Sequence, residues 1–222
     1  KDGAAKADVN VYVGGVMKDG DWELQRDMVK ELPGKKADAV ILAPADSSNM
    51  TASAKTLREQ KLPVFLVDTA LSSNDYDAAF LTDNLEAGAE VCQQMVEQMK
   101  ASGVKESEEA TVLVHVSTLA STTISDRLNS IMANWGKFAS ASWKIEHDYI
   151  INYGDEAGAF KLVTEKIKNT HNVKGIIACN NGSTNATVEA VMAAGRKDIV
   201  VTGFALGKKT LLGLEDKNYS IA

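Results

Sequence analysis

Between Ala39 and Asn84 the chain carries two unbroken apolar stretches of strand length with a helix-length segment between them, and this arrangement leaves few folds open. Ala39-Val-Ile-Leu-Ala43 is a continuous apolar run, which suits a strand covered on both faces. Pro44 closes it. Ser47 or Ser48 is placed to cap a helix reaching about Gln60, and Pro63-Val-Phe-Leu-Val67 reads as a second buried strand that delivers Asp68-Thr69 to the carboxyl edge of the sheet. Ligands of open α/β sheets bind beyond the carboxyl ends of the strands, so Asp46, Asp68 and Thr69 are the first site candidates.

The same alternation extends along the chain. Val9-Asn-Val-Tyr-Val13 reads as a strand ending in Gly14-Gly15, and Asp21–Leu32 as an amphipathic helix with Asp21 as its cap. Ala78–Leu81 is a short strand, and Asn84–Lys100 a helix capped by Thr82 or Asp83. The polar segment Ala101–Ala110 separates two similar sets of elements, which places a lobe boundary there: residues 1–104 form a first lobe and residues 105–222 a second. Strands follow at Thr111–Val116, Trp143–Ile151, Gly175–Ala178 and Ile199–Thr202. Helices are expected at Ile124–Phe138, Asp155–Lys168, through Glu189–Ala194 with a stop at Gly195, and at Lys208–Leu214, before an extended Tyr219–Ala222. Alternating strands and helices predict an α/β protein of two parallel-sheet lobes with a cleft between them. Short polar turns recur at the strand ends: Asp46-Ser-Ser, Asp68-Thr69, Ser117-Thr118, Asn180-Asn181 and Ala205-Leu206.

Composition narrows the function. A net charge of -6 and the lack of a Lys/Arg cluster exclude a phosphate-backbone partner. No G-x-G-x-x-G or G-x-x-x-x-G-K-[ST] loop is present, which removes the usual nucleotide enzymes, and no apolar run approaches the ~20 residues of a membrane helix. Ser117, Thr118, Ser121 and Ser125 lie near Asp126 but without a G-x-S-x-G elbow, so the chain is read as a non-enzyme whose hydroxyls cap helices and donate to ligands. His115, His147 and His171 are read as packing or surface residues, Cys92 and Cys179 as free and buried, and no metal or other cofactor is expected.

Five segments in this order, Ala39-Val-Ile-Leu-Ala-Pro-Ala-Asp46, Leu62-Pro-Val-Phe-Leu-Val-Asp68, Thr82-Asp-Asn84 with Gly88 following, Ala178-Cys-Asn-Asn181 and Val200-Val-Thr-Gly-Phe204, resemble the type I periplasmic binding-protein superfamily. The similarity is to its sugar-binding branch, with the ribose- and galactose-binding proteins and the effector domains of lactose-repressor-type regulators. The resemblance implies two doubly wound lobes that close on a ligand by a hinge. It also implies roles: Asp68 accepts from ligand hydroxyls in the first lobe, Arg127 reaches into the cleft from the second, and Asn180 both donates and accepts. Two ligand positions depart from the pattern, Thr69 where Arg or Ser is usual and Ala205 where Asp is usual. A less hydroxylated or modified sugar fits those changes. The family also has a strand and helix before the equivalent of Lys1, of which Lys1–Ala5 resembles the helix tail, and a return segment after Ala222. The chain is therefore expected to be an excerpt with truncated ends. The implied function is a monomeric, extracytoplasmic receptor that captures a small polar ligand, a sugar, for an ABC transporter permease. The alternatives are the sensing domain of a repressor or of a membrane-bound signalling receptor, and a binder of furanosyl autoinducers.

Overall fold

The computed structural model describes residues 6–222, so the expected helix tail at 1–5 lies outside the described residues. In the first body, helix α1 (Trp22–Lys30) and a 3-10 turn at Pro33–Lys35 precede strand β1 (Val40–Leu42), helix α2 (Thr51–Glu59) and strands β2 (Val64–Val67) and β3 (Ala78–Phe80). The strands lie in the order β1-β2-β3, in parallel, with Val40 opposite Val64 and Phe65 opposite Ala78. Val40, Leu42, Val64 and Leu66 share one core with Val29 of α1 and Ala54 and Leu57 of α2. The alternate residues face away: Ile41 is 73% exposed and Phe80 69%. A pleated strand sends successive side chains to opposite faces, so helices on one side bury only every second residue.

The second body begins with helix α3 (Asn84–Ala101). It continues through β4 (Ala110–Val116), α4 (Thr122–Phe138), β5 (Trp143–Ile145), β6 (Ile150–Ile151), α5 (Glu156–Asn169), β7 (Val173–Ala178), α6 (Asn181–Ala193), β8 (Val200–Thr202), α7 (Lys208–Glu215) and β9 (Ser220–Ile221). Its parallel sheet has the order β5-β4-β7-β8-β9, with β6 also on β4. Both faces are covered. Val91, Met95 and Met99 of α3 join Ile124, Leu128 and Ile131 of α4 over Val112, Val114 and Val116, while Val163, Ile167, Val188 and Val191 cover Leu113, Ile176 and Val201 from the other side. Caps set the helix starts: Asp83 Oδ1 accepts from the Glu86 N–H at 3.0 Å and Asp155 Oδ1 from the Gly158 N–H at 3.2 Å. Gly195, at φ +63°, ends the turn after α6 as expected. No helix among the described residues is long and apolar enough to cross a membrane.

Four expectations require correction. Helix α3 packs on α4 and the second sheet, so the crossing between bodies falls at residues 81–83 rather than at 104/105. The polar segment before β4 is an exposed helix-to-strand turn, and exposure writes the same composition as a linker. Val9–Val13 forms no strand and Tyr12 is 82% exposed. A strand needs a hydrogen-bonded neighbour, and β1 pairs with β2 alone among the described residues. The Trp143–Ile151 run is broken because Ile145 pairs with Val112 and Ile150 with His115, which leaves extra residues bulging outward around His147-Asp148. Finally, Asp21 stands at the N-cap position of α1 without a side-chain cap, and neither serine caps α2, which starts after Met50.

Candidate functional site

Both sheets bring their carboxyl edges toward one region. At the end of β2, Asp68 enters the left-handed region at φ +67°, and its N–H donates to the Phe80 carbonyl at 3.1 Å. At the end of β8, Ala205 does the same at φ +66°. A non-glycine residue there costs roughly 1–2 kcal/mol, less for Asp than for Ala, so each body holds one strained residue beside the cleft. Asp46, also proposed from the strand-end rule, has another job. Its Oδ1 accepts from the Ser48 and Asn49 N–H groups at 2.8 and 2.7 Å, which builds the turn into α2.

The hydroxyl-rich loop at 117–123 joins the two bodies. Ser47 N–H donates to the Ala120 carbonyl at 3.0 Å, Thr122 N–H to Ser47 Oγ at 2.9 Å, and Thr123 Oγ1 to the Asp68 carbonyl at 2.6 Å. Thr69 belongs to this seam: it is buried, with its Oγ1 3.2 Å from Thr123 Oγ1 and 3.1 Å from Asp68 Oδ2. Its hydroxyl therefore holds loop to loop.

Arg127 is fixed from three directions. Its Nε donates to Asn84 Oδ1 at 2.9 Å, its Nη1 to the Cys179 carbonyl at 2.8 Å, and its guanidinium lies 4.0 Å from the centroid of the Phe204 ring. The helices can approach because position 88 is glycine: a Cβ there would stand 2.5 Å from the Arg127 carbonyl oxygen. Burial pulls the Arg127 pKa down, and the negative charge of Asp68, joined by Cys179 only where that thiol ionises, opposes the shift. A guanidinium has five N–H donors, so this anchoring leaves the remainder for a ligand.

Asn180 is the N-cap of α6. Its Oδ1 accepts from the Ser183 N–H at 3.1 Å and its Nδ2 donates to Asp19 Oδ2 at 3.1 Å. The cap and Asp19 thus hold the two ends of the amide implied for the ligand.

A cleft of about 1000 Å³ gathers these groups. Asp68, Thr69, Arg127, Asn180 and Ala205 all line it, together with Phe204, Thr118, Ser121 and Thr123. Its lining also takes in Val11, Val13, Met28, Leu32 and the β1 residues Val40–Leu42, with Gln25, Glu31 and Lys35 among them. Asp46 is absent from the lining. The sequence reading missed Phe204 as a site group and Asn84 as the partner of Arg127. An aromatic residue directly after the β8 strand and its glycine was the available signal for Phe204; nothing local marks Asn84.

Beneath the cleft floor, His115 is fully buried, with Nδ1 2.9 Å from Thr187 Oγ1. Burial lowers its pKa to about 4, against a hydrogen bond with the Ser183 backbone that raises it. Burial also pushes the Cys179 thiol up to about 12, with Arg127 opposing, and the Cys92 thiol to about 11. Both cysteines are free and buried, and neither is a thiolate nucleophile at neutral pH.

The whole chain, residues 1–222, matches the family model described as a periplasmic binding protein domain. A D-apiose import binding protein of Actinobacillus succinogenes is 23% identical over 187 residues, covering 84% of this chain. The chain spans 57% of the length of that relative. Among solved structures, a carbohydrate transporter solute-binding protein of Agrobacterium radiobacter, in complex with D-arabinose, superposes with a TM-score of 0.89 at 19% identity, over 100% of this chain and 73% of the other. An ABC transporter solute-binding protein of Agrobacterium vitis with bound D-fucose gives a TM-score of 0.84 at 21% identity, over 97% and 73% of the two chains. At these identities the superpositions show a common fold of two parallel-sheet lobes.

Proposed function

The chain belongs to the periplasmic binding protein family, a family of binding proteins, and on that premise we propose that it is the ligand-holding part of an extracytoplasmic solute receptor. Its ligand is a sugar, and the loaded receptor delivers it to an ABC transporter permease. One observation carries this reading: Asp68 from the first body and the anchored Arg127 from the second line the same cleft. A carboxylate accepts from sugar hydroxyls and a guanidinium donates to them, so one polyhydroxyl ligand satisfies both. Phe204 adds an apolar ring beside these polar groups, the mixed lining that suits a sugar's C–H face and its hydroxyls. Closure follows from differential binding. A ligand that touches Asp68 and Arg127 together stabilises the form in which they face each other over the form in which they are apart.

The names of the relatives support a sugar: the curated relative is named for D-apiose import, and the two solved structures hold D-arabinose and D-fucose. Ala205 and Thr69 leave the site with fewer charged partners than the sugar-binding pattern. A thermal-shift screen against pentoses, hexoses, sugar alcohols, furanosyl autoinducers and nucleosides tests the reading, because a ligand at 100 times its Kd adds ~2.7 kcal/mol of stability. A sugar is expected to raise the melting temperature, and Asp68→Ala to weaken that sugar by at least ~1 kcal/mol, with a smaller loss of stability in the empty protein because Ala tolerates the left-handed φ of +67° less well than Asp. Full retention of affinity in Asp68→Ala would remove Asp68 from the site.

A further inference from the structure

The two charged groups assigned to the ligand are both fastened to the short crossing between the bodies. Among the described residues the chain passes from the first body to the second once, where residues 81–83 join β3 to α3. On the near side, the Asp68 N–H donates to the Phe80 carbonyl at 3.1 Å, which ties the turn that carries the carboxylate to the last residue of β3. On the far side, Asn84 Nδ2 donates to the Thr82 carbonyl at 3.1 Å, and Asn84 Oδ1 accepts from Arg127 Nε at 2.9 Å. One side chain therefore connects the guanidinium to the crossing. Leu81 alone separates the two fastened carbonyls.

Chemistry fixes the orientation of this amide. Arg127 Nε only donates and the Thr82 carbonyl only accepts, so a flipped amide would set donor against donor and oxygen against oxygen. An Asp in its place lacks the donor, and an apolar residue lacks both groups. Asn84 is buried and takes no part in capping α3, since Asp83 Oδ1 supplies that bond. The amide also sits on a rigid base. Ser130 Oγ of α4 donates to the Leu85 carbonyl, and glycine at 88 lets the Arg127 backbone approach, so the first turn of α3 and the Arg127 turn of α4 form one unit.

We propose that Asn84 is a positioning residue for the ligand: it holds the Arg127 guanidinium in register with the crossing, so that the angle between the bodies and the aim of Arg127 change together. A ligand that bridges Asp68 and Arg127 then pulls on both ends of residues 80–84, and the crossing tightens as the cleft fills. The inference rests on the sugar-receptor reading and extends it from the groups that touch the ligand to the one that aims them.

Calorimetric titration of the purified protein with D-arabinose, D-fucose and D-galactose selects the tightest of the three as the probe. Asn84→Ala is expected to weaken it about tenfold. In an Arg127→Lys background, which lacks Nε, the same substitution should change affinity by no more than about twofold, because its route to the ligand is already cut. Hydrogen exchange read by mass spectrometry tests the tie to the crossing. In the unaltered protein a saturating probe sugar should slow exchange in the segment 80–84. Asn84→Asp keeps an acceptor for Arg127 but turns a second oxygen toward Thr82, and there the slowing should be lost. A merely structural Asn84 would lower the melting temperature and move neither readout. Unchanged affinity in Asn84→Ala, an equal loss in both backgrounds, or slowing that persists in Asn84→Asp would each overturn the inference. The Asp variant, matched in size, decides it should the alanine variant not fold. If none of the three sugars binds and the wider sugar panel is silent too, the sugar-receptor reading itself fails and the inference falls with it.

Discussion

Strand β1 of the first sheet and the Val112-Leu-Val114 centre of strand β4 in the second are both unbroken apolar runs, yet they end in different environments. Ile41 stands 73% exposed between buried Val40 and Leu42, whereas Val112, Leu113 and Val114 are all within 1% of full burial. The difference lies in the neighbours. β4 has β5 and β6 on one edge, β7 on the other and helices on both faces, while β1 has one strand and one helical layer. A run of branched apolar residues states that both faces can be buried. The surroundings decide whether they are. The better-covered body also carries the anchored half of the site, Arg127 with Phe204, so the rigid part of the cleft is the part whose strands are fully enclosed.

Substitution in one strand of each sheet should expose this contrast most strongly. Ile176→Ala in β7 removes a fully buried side chain and should lower unfolding stability in urea by ~2–5 kcal/mol. Ile41→Ala should change it by no more than ~0.5 kcal/mol, as expected for an exposed position. Equal losses would mean that the outer face of β1 is covered in solution, and the contrast between the sheets would collapse.

A second probe is confined to the enclosed body. His115 titrates at about 4 when folded and near the ordinary 6.5 when unfolded, because burial disfavours its charge. Between those values the unfolded chain takes up a proton that the folded chain excludes. Stability from this group is therefore complete above pH 6.5 and falls as the pH is lowered toward 4, by about 3 kcal/mol in all at ~1.4 kcal/mol per unit. Denaturant titrations at pH 7, 5.5 and 4 measure the slope, and His115→Gln should remove it. An unchanged slope in that variant would assign the acid sensitivity to other groups.

Legibility followed the same division. In the second body the expected strands and helices correspond to observed ones within a few residues, since each apolar run there has the neighbours its pattern implies. The exception, Trp143–Ile151, fails at Glu146-His-Asp148, where a polar interruption marked the bulge that the alternating pattern hid. In the first body Val9–Val13 has a strand's composition, but hydrogen bonding is a property of pairs and cannot be read from one segment. The site divides likewise. Asp68, Asn180 and Ala205 stand at strand ends and Arg127 was implied by the family resemblance, and all four line the cleft. That Asn84 would hold Arg127, that Asn180 would cap α6, and that Thr69 would spend its hydroxyl on the seam are facts of contact between distant segments.

The smallest expected effect compares the strained residue that each body sets beside the cleft. Ala205 and Asp68 share almost the same left-handed φ, +66° and +67°. Glycine relieves a strain of ~1–2 kcal/mol at such a position but restores chain entropy to the unfolded state, worth ~0.5–1 kcal/mol. Ala205→Gly should therefore stabilise the empty protein by only ~0.5–1 kcal/mol, read as a rise in its urea midpoint, while sugar affinity stays within about twofold. Asp68→Gly starts from less strain, because Asp tolerates this region better, so its gain should be smaller still. It also removes the carboxylate, and sugar affinity should fall. If Ala205→Gly instead loses affinity to the same degree, the Ala205 backbone is held in place for the ligand. Strain would then be a binding device in the second body.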